Sequence, residues 1–214
     1  MIHRTYSRPW SRRFTVAALA MGTLWLAVPH AGQAQAAPVT GNTPRGLPAD
    51  VAFMQGMMAH HAQALTMSAL VSTHTTRREM RVLAERIDVS QKDEIEVMRR
   101  WLAERNQPVP MVGPGHDAHA SHDMPGMASM SHTMPGMLSP AQMDSLAAAR
   151  GVAFDRLFLR YMIQHHEGAL TMVAALLKTP GAAVEPMLYQ FVSDVDTDQR
   201  AEIRRMKALL EKWS

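Results

Sequence analysis

From residue 50 onward the apolar residues recur at intervals of three and four, the spacing of one helix face, and no segment alternates with the period of two that a strand requires. Asp50 stands where an N-cap would open a first helix, which the pattern carries to about Thr73. A second helix is expected from about Thr76 to Arg105, ending before Asn106 and Pro108. Ser139, with Pro140 behind it and Gln142 three residues on, has the spacing of a capping box and opens a short helix that reaches Gly151. A long helix continues to about Lys178, where Thr179-Pro180-Gly181 stops it, and a last one runs from about Pro186 to Lys212. The predicted class is all-α.

The helices pair into two copies of one hairpin. Phe53, Met57, His60, His61, Ala64, Leu65, Thr66 and Met67 reappear as Phe158, Met162, His165, His166, Ala169, Leu170, Thr171 and Met172 at a constant offset of 105. In the helices that follow, Ile87, Gln91, Glu94, Ile95, Met98 and Leu102 reappear as Val195, Gln199, Glu202, Ile203, Met206 and Leu210, now offset by 108. Two hairpins that each carry one apolar stripe bury those stripes against each other as a four-helix bundle. The expected organisation is one bundle domain made of residues 49–106 and 139–214, interrupted by a linker at 107–138.

The stripes carry candidate chemistry. At about 100° per residue, Phe53, Met57, His60, Ala64 and Met67 share a face, with His61 and Met54 at its edge. The same holds for Phe158, Met162, His165, Ala169 and Met172. Each stripe therefore pairs a thioether with an imidazole one turn apart, close enough for both to reach one ion. Thioethers favour soft ions such as Cu(I) and Ag(I), and imidazole also suits copper. The competing reading is packing, since methionine is a common core filler. Glu94 and Glu202 fall on otherwise apolar faces, where a carboxylate needs a partner, and the imidazole N–H groups are natural ones. Such an arrangement would make them supports for the ligands; a surface ion pair is the alternative.

Composition sharpens this picture. The chain has 214 residues with 19 Met, 11 His and no Cys, which removes disulfides and thiolate sites. Residues 1–36 read as a secretory signal peptide: Arg4, Arg8, Arg12 and Arg13, an apolar run from Phe14 to Val28, and Ala34-Gln35-Ala36 as the cleavage pattern. Export to the periplasm with cleavage near Ala36 is expected, with no stable membrane insertion afterwards; an uncleaved anchor is the alternative. That leader holds four Arg and no acidic residue, so the excess of 22 Lys and Arg over 19 Asp and Glu vanishes with it. No basic face is left to suggest nucleic acid.

Residues 37–48, rich in Pro, Gly and Thr, read as a mobile arm. Between 111 and 137 lie six Met and four His, with Val112 the only other large apolar residue. Packing does not account for methionine in a segment otherwise made of Gly, Pro, Ser, Asp and Ala, and a neutral low-complexity spacer is the alternative to a chelating segment. His116, His119, His122, Met124, Met127, Met130, His132, Met134 and Met137 are the candidate ligands of a soft-metal tract expected to be disordered without metal. In an oxidising compartment, thioethers are the soft ligands that remain available.

The doubled Phe-x-x-x-Met-x-x-His-His-x-x-Ala-x-x-Met and the Gln-x-x-Glu-Ile-x-x-Met that follows each first helix resemble the bacterial ferritin-like domain of unknown function family 305, which includes periplasmic copper-binding proteins of the CopM type. The resemblance covers nearly all of residues 50–212. It implies a ferritin-like four-helix bundle in the periplasm, with copper or silver handling through Met57, His60, His61 and Met67 and through Met162, His165, His166 and Met172.

The expected function is binding, buffering or delivery of Cu(I), Cu(II) or silver, with metal ions as cargo and a copper exporter or periplasmic copper protein as partner, and no enzymatic activity. A ferritin-like di-metal oxidase is the rival, though Met57 and Met162 occupy the positions where its Glu-x-x-His motifs need carboxylates. A helical interaction module with a Met-rich face is the other.

Overall fold

The computed structural model describes residues 47–112 and 134–213, and among these every regular element is a helix. They are α1 (Pro48–His74), α2 (Arg78–Glu104), α3 (Pro140–Ala148), α4 (Gly151–Lys178) and α5 (Pro186–Lys212). The leader, the arm up to residue 46, and His116, His119, His122, Met124, Met127, Met130 and His132 lie outside the described residues. None of the described helices is long and apolar enough to cross a membrane.

Local chemistry accounts for most of the boundaries. Ser139 caps α3 in a capping box, its hydroxyl accepting from the Gln142 N–H while the Gln142 side chain accepts from the Ser139 N–H. Asp50 corrects the sequence reading: α1 begins at Pro48, a residue assigned to the arm, with Leu47 as its N-cap. The Asp50 carboxylate instead accepts the Ala183 N–H at 2.8 Å, tying the start of α1 to the loop between α4 and α5. Ala183 is held there at φ +53°, and the hydrogen bond to a buried carboxylate offsets part of that strain.

Helix α1 packs on α2, α4 on α5, and the two hairpins meet through α1 and α4. The inner helices are thus covered on two sides, which is why α1 buries consecutive residues such as Met57 and Met58, and His60 and His61. At the outer ends, Trp101 donates to Glu185, and the Arg105 guanidinium lies 4.2 Å over the Trp101 ring while also pairing with Glu185.

The core is split in two. Phe53, Met57, Met98, Trp101, Val173 and Phe191 belong to one apolar cluster. Met67, Ile87, Phe154, Phe158, Met162 and Met206 belong to the other. Every long helix passes from one cluster to the other at its polar residues: His60 and His61 on α1, Gln91 and Glu94 on α2, His165 and His166 on α4, Gln199 and Glu202 on α5. A polar layer therefore crosses the middle of the molecule.

Candidate metal-handling layer

The four histidines of this layer, His60, His61, His165 and His166, are at most 1 % exposed. His60 and His165 face each other across the α1–α4 contact with ring centroids 3.8 Å apart. His61 and His166 stand outside them, 6.5 and 6.1 Å from their neighbours' centroids. The helical wheel placed His61 at the edge of the stripe; it is fully buried because α1 has α2 on its other flank.

Each ring directs Nε2 at an oxygen. His60 Nε2–H donates to the Pro135 carbonyl at 3.0 Å, and His165 Nε2–H to the His60 carbonyl at 2.9 Å. His61 Nε2–H donates to Glu94, and His166 Nε2–H to Glu202. A carbonyl can only accept, so Nε2 of His60 and His165 must carry a proton. The other ring nitrogen then depends on overall protonation. Burial, aided by His61, pushes His60 down to about 3. Burial, aided by His60 and His166, holds His165 well below the usual imidazole range. Both rings are neutral near pH 7, and their Nδ1 atoms are bare lone pairs.

None of the four Nδ1 atoms has a hydrogen-bond partner from the described residues, nor has either end of the Gln91 amide, nor Gln199 Oε1. Buried polar atoms are normally satisfied by protein or ordered water, and seven in one layer are left without a protein partner among the described residues. An imidazole whose N–H is held by a carboxylate or carbonyl and whose other nitrogen is free is the form in which proteins present histidine to metals. Burial also raises the Asp198 carboxyl, aided by the negative charges of Glu94 and Glu202. Among the described residues no three His, Asp or Glu side chains are grouped to hold an ion by themselves.

Sulfur is close by along the chain. Met57 and Met162, one turn before His60 and His165, are fully buried on opposite sides of the layer, and Met67 is fully buried one turn beyond Ala64. Met134, Met137 and Met172 are half-buried. Of the segment 107–138, expected to be disordered, residues 107–112 and 134–138 are described and are held against the helices. Gln55 donates to the Pro108 carbonyl at 2.8 Å, and Gln63 both donates to the Leu138 carbonyl and accepts its N–H. The Pro135 and His60 carbonyls escape sequence reasoning because main-chain acceptors carry no residue signature. Gly168, standing where the first hairpin has Gln63, was the available clue to close backbone approach.

Residues 50–210 match the family described as Domain of unknown function (DUF305). A DUF305 fragment from Deinococcus radiodurans is 30 % identical with a TM-score of 0.64, the match covering 79 % of this chain and 99 % of that one. CopM in its Cu(II)-bound form is 30 % identical with a TM-score of 0.57, over 77 % of this chain and 97 % of that one. The Ag-bound CopM obtained by co-crystallisation is 27 % identical with a TM-score of 0.55, over 77 % of this chain and 96 % of that one. No curated protein matches the chain.

Proposed function

The chain belongs to the DUF305 family, and from that premise we propose that it is an exported, non-enzymatic protein that binds copper, and silver by the same softness, to buffer it or hand it on in the periplasm. The observation that carries the reading is the set of four buried imidazoles with Nε2–H satisfied by oxygen and Nδ1 left free. Neutral imidazole binds an ion without first losing a proton, so burial prepares His60 and His165 for ligation. Thioethers from Met57 and Met162 would complete a soft donor set on a ferritin-like bundle, and the His and Met residues of the 111–137 tract would add capacity. The similarity to CopM, which has been solved with Cu(I), Cu(II) and Ag, supports the choice of ion.

Glu94 and Glu202, the carboxylates a di-metal oxidase would need, are engaged by His61 and His166. Their position favours support of the imidazoles over direct coordination of a hard ion.

Anaerobic titration of the mature protein with Cu(I) against a competing chelator tests the proposal, with Fe(II) and Zn(II) in parallel. Several tightly held Cu(I) per chain, reduced in His60→Ala/His165→Ala and separately reduced by deleting residues 116–133, are expected. Absence of competitive Cu(I) binding would return the methionines to packing and leave the interaction module standing. Two Fe(II) per chain would revive the oxidase.

A further inference from the structure

The two hairpins are copies, yet one feature exists on one side only. Gly56 and Gly168 interrupt the repeat: their counterparts, at the same offset of 105, are Tyr161 and Gln63. Both glycines lie under the chain segment that precedes α3. A Cβ on Gly168 would stand 2.1 Å from the Pro135 carbonyl oxygen and 2.5 Å from Gly136 Cα. A Cβ on Gly136, whose φ is +76°, would stand 2.6 Å from the Gln164 carbonyl oxygen. Backbone meets backbone there, and nothing larger than glycine fits on either surface.

The segment is also pinned by side chains. Gln63 holds the Leu138 peptide at both its N–H (2.8 Å) and its carbonyl (3.0 Å). Leu138 is 4 % exposed and belongs to the second apolar cluster. Pro135 accepts from His60 in the layer beneath. At the start of this segment, a methyl placed on Gly56 would lie 3.5 Å from Met134 Sδ and 3.6 Å from Met172 Cε. The Met134 sulfur and the Met172 terminal methyl therefore both border one notch in α1. Both residues are half-buried, unlike the histidines below them.

We propose that residues 134–138 are a strap seated across α1 and α4 that brings the Met134 thioether beside that of Met172, and that this pair is a soft-ion exchange site, one per chain, at the edge of the histidine layer. The proposal rests on the soft-metal reading above and adds its point of transfer. Partial exposure lets the pair trade Cu(I) or Ag(I) with solvent or a partner, while two neutral thioethers discriminate against hard ions. Met134 adjoins Pro135, whose carbonyl holds the His60 ring, so the strap links the exchange site to the ligands below. The second hairpin's own counterpart is missing, because Met67 is fully buried and Tyr161 fills the place of Gly56.

The test is a titration of the full mature chain, labelled with ¹³C at the methionine methyls and ¹⁵N at the imidazoles, with Ag(I), each methionine signal assigned by single Met→Leu variants. Met134 and Met172 are expected to shift together with one midpoint. Met134→Leu should abolish the Met172 response and lower the Ag(I) count by one. Gly168→Ala should do the same without removing a sulfur, since its Cβ must displace the strap, with circular dichroism reporting an unchanged helical fold. A Met172 response that survives both substitutions overturns the exchange site while a responding histidine layer keeps the broader reading. No response from any methionine or histidine overturns both.

Discussion

His60 and His165 occupy equivalent positions in the two hairpins, yet they are held by unlike acceptors: His60 by the carbonyl of Pro135, a residue outside the repeat, and His165 by the carbonyl of His60 itself. The pair is therefore asymmetric although the sequence around it is duplicated. Both rings nonetheless lose their protons to burial, and a first prediction follows from that.

Stability of the metal-free protein should fall with pH from about 6.5 downward. In the unfolded chain a histidine takes up a proton near 6.5, whereas folded His60 resists protonation until about 3 and His165 also lies well below the usual range. Between those limits the unfolded state binds more protons, so the stability present above pH 6.5 is lost as pH drops, at up to about 1.4 kcal/mol per pH unit for each ring. Urea unfolding at pH 7, 6 and 5 measures this. His60→Asn/His165→Asn should have a flatter profile, and an equally steep one would show that other groups carry the dependence.

Glu94→Gln and Glu202→Gln should weaken metal binding without unfolding the protein. The amide oxygen still accepts from Nε2–H, but the charge that makes the imidazole a better donor is gone. Loss of such a supporting carboxylate costs about 10–100-fold in affinity. Chelator competition reads the effect, and an unchanged Kd for both variants would make the pairs structural only.

Gln91 offers a trade between stability and function. Its amide is fully buried with neither end hydrogen-bonded by the described residues. Gln91→Leu keeps the approximate size and removes the unmet polar groups, a change worth about 1–3 kcal/mol in favour of the metal-free fold. Thermal unfolding should shift upward while Cu(I) affinity falls. A lower Tm would mean that the amide is satisfied in solution by bound water.

Away from the layer, Glu185 accepts from Trp101 at 3.1 Å and pairs with Arg105, which is 6 % exposed. Glu185→Ala strips a buried guanidinium of this partner and leaves the indole N–H unmet, at a cost of about 2 kcal/mol moderated by the exposure of the carboxylate. Equilibrium unfolding should show this loss with Cu(I) stoichiometry unchanged, which separates a clasp between hairpin ends from the histidine layer.

What was legible in the sequence has a common cause: it was written in periodicity and repetition. The 3.6-residue spacing of Phe53, Met57, Ala64 and Met67 set an inward face, the offset copies from Phe158 to Met172 set a second, and Ser139 with Gln142 marked a helix start through a hydrogen bond that closes within four residues. Short-range chemistry of this kind needs no knowledge of the fold. The start of α1 was misread because Asp50 has a competing partner, the Ala183 N–H, 133 residues away.

Sequence alone thus determined the helical class, the duplication and which donor-bearing side chains lie along each stripe, because side-chain identity and spacing are local properties of the chain. Tertiary structure decided which nitrogen each histidine offers, since the acceptors that take Nε2–H come from positions 33, 36, 75 and 105 residues distant. It also decided that His61 is buried, because α1 is covered on two flanks, and that Met134 Sδ and Met172 Cε border one notch at Gly56, where Gly168 and Gly136 let the backbone of residues 135–136 touch α4. Burial and contact between distant segments are properties of packing, and packing exists only once the helices have assembled.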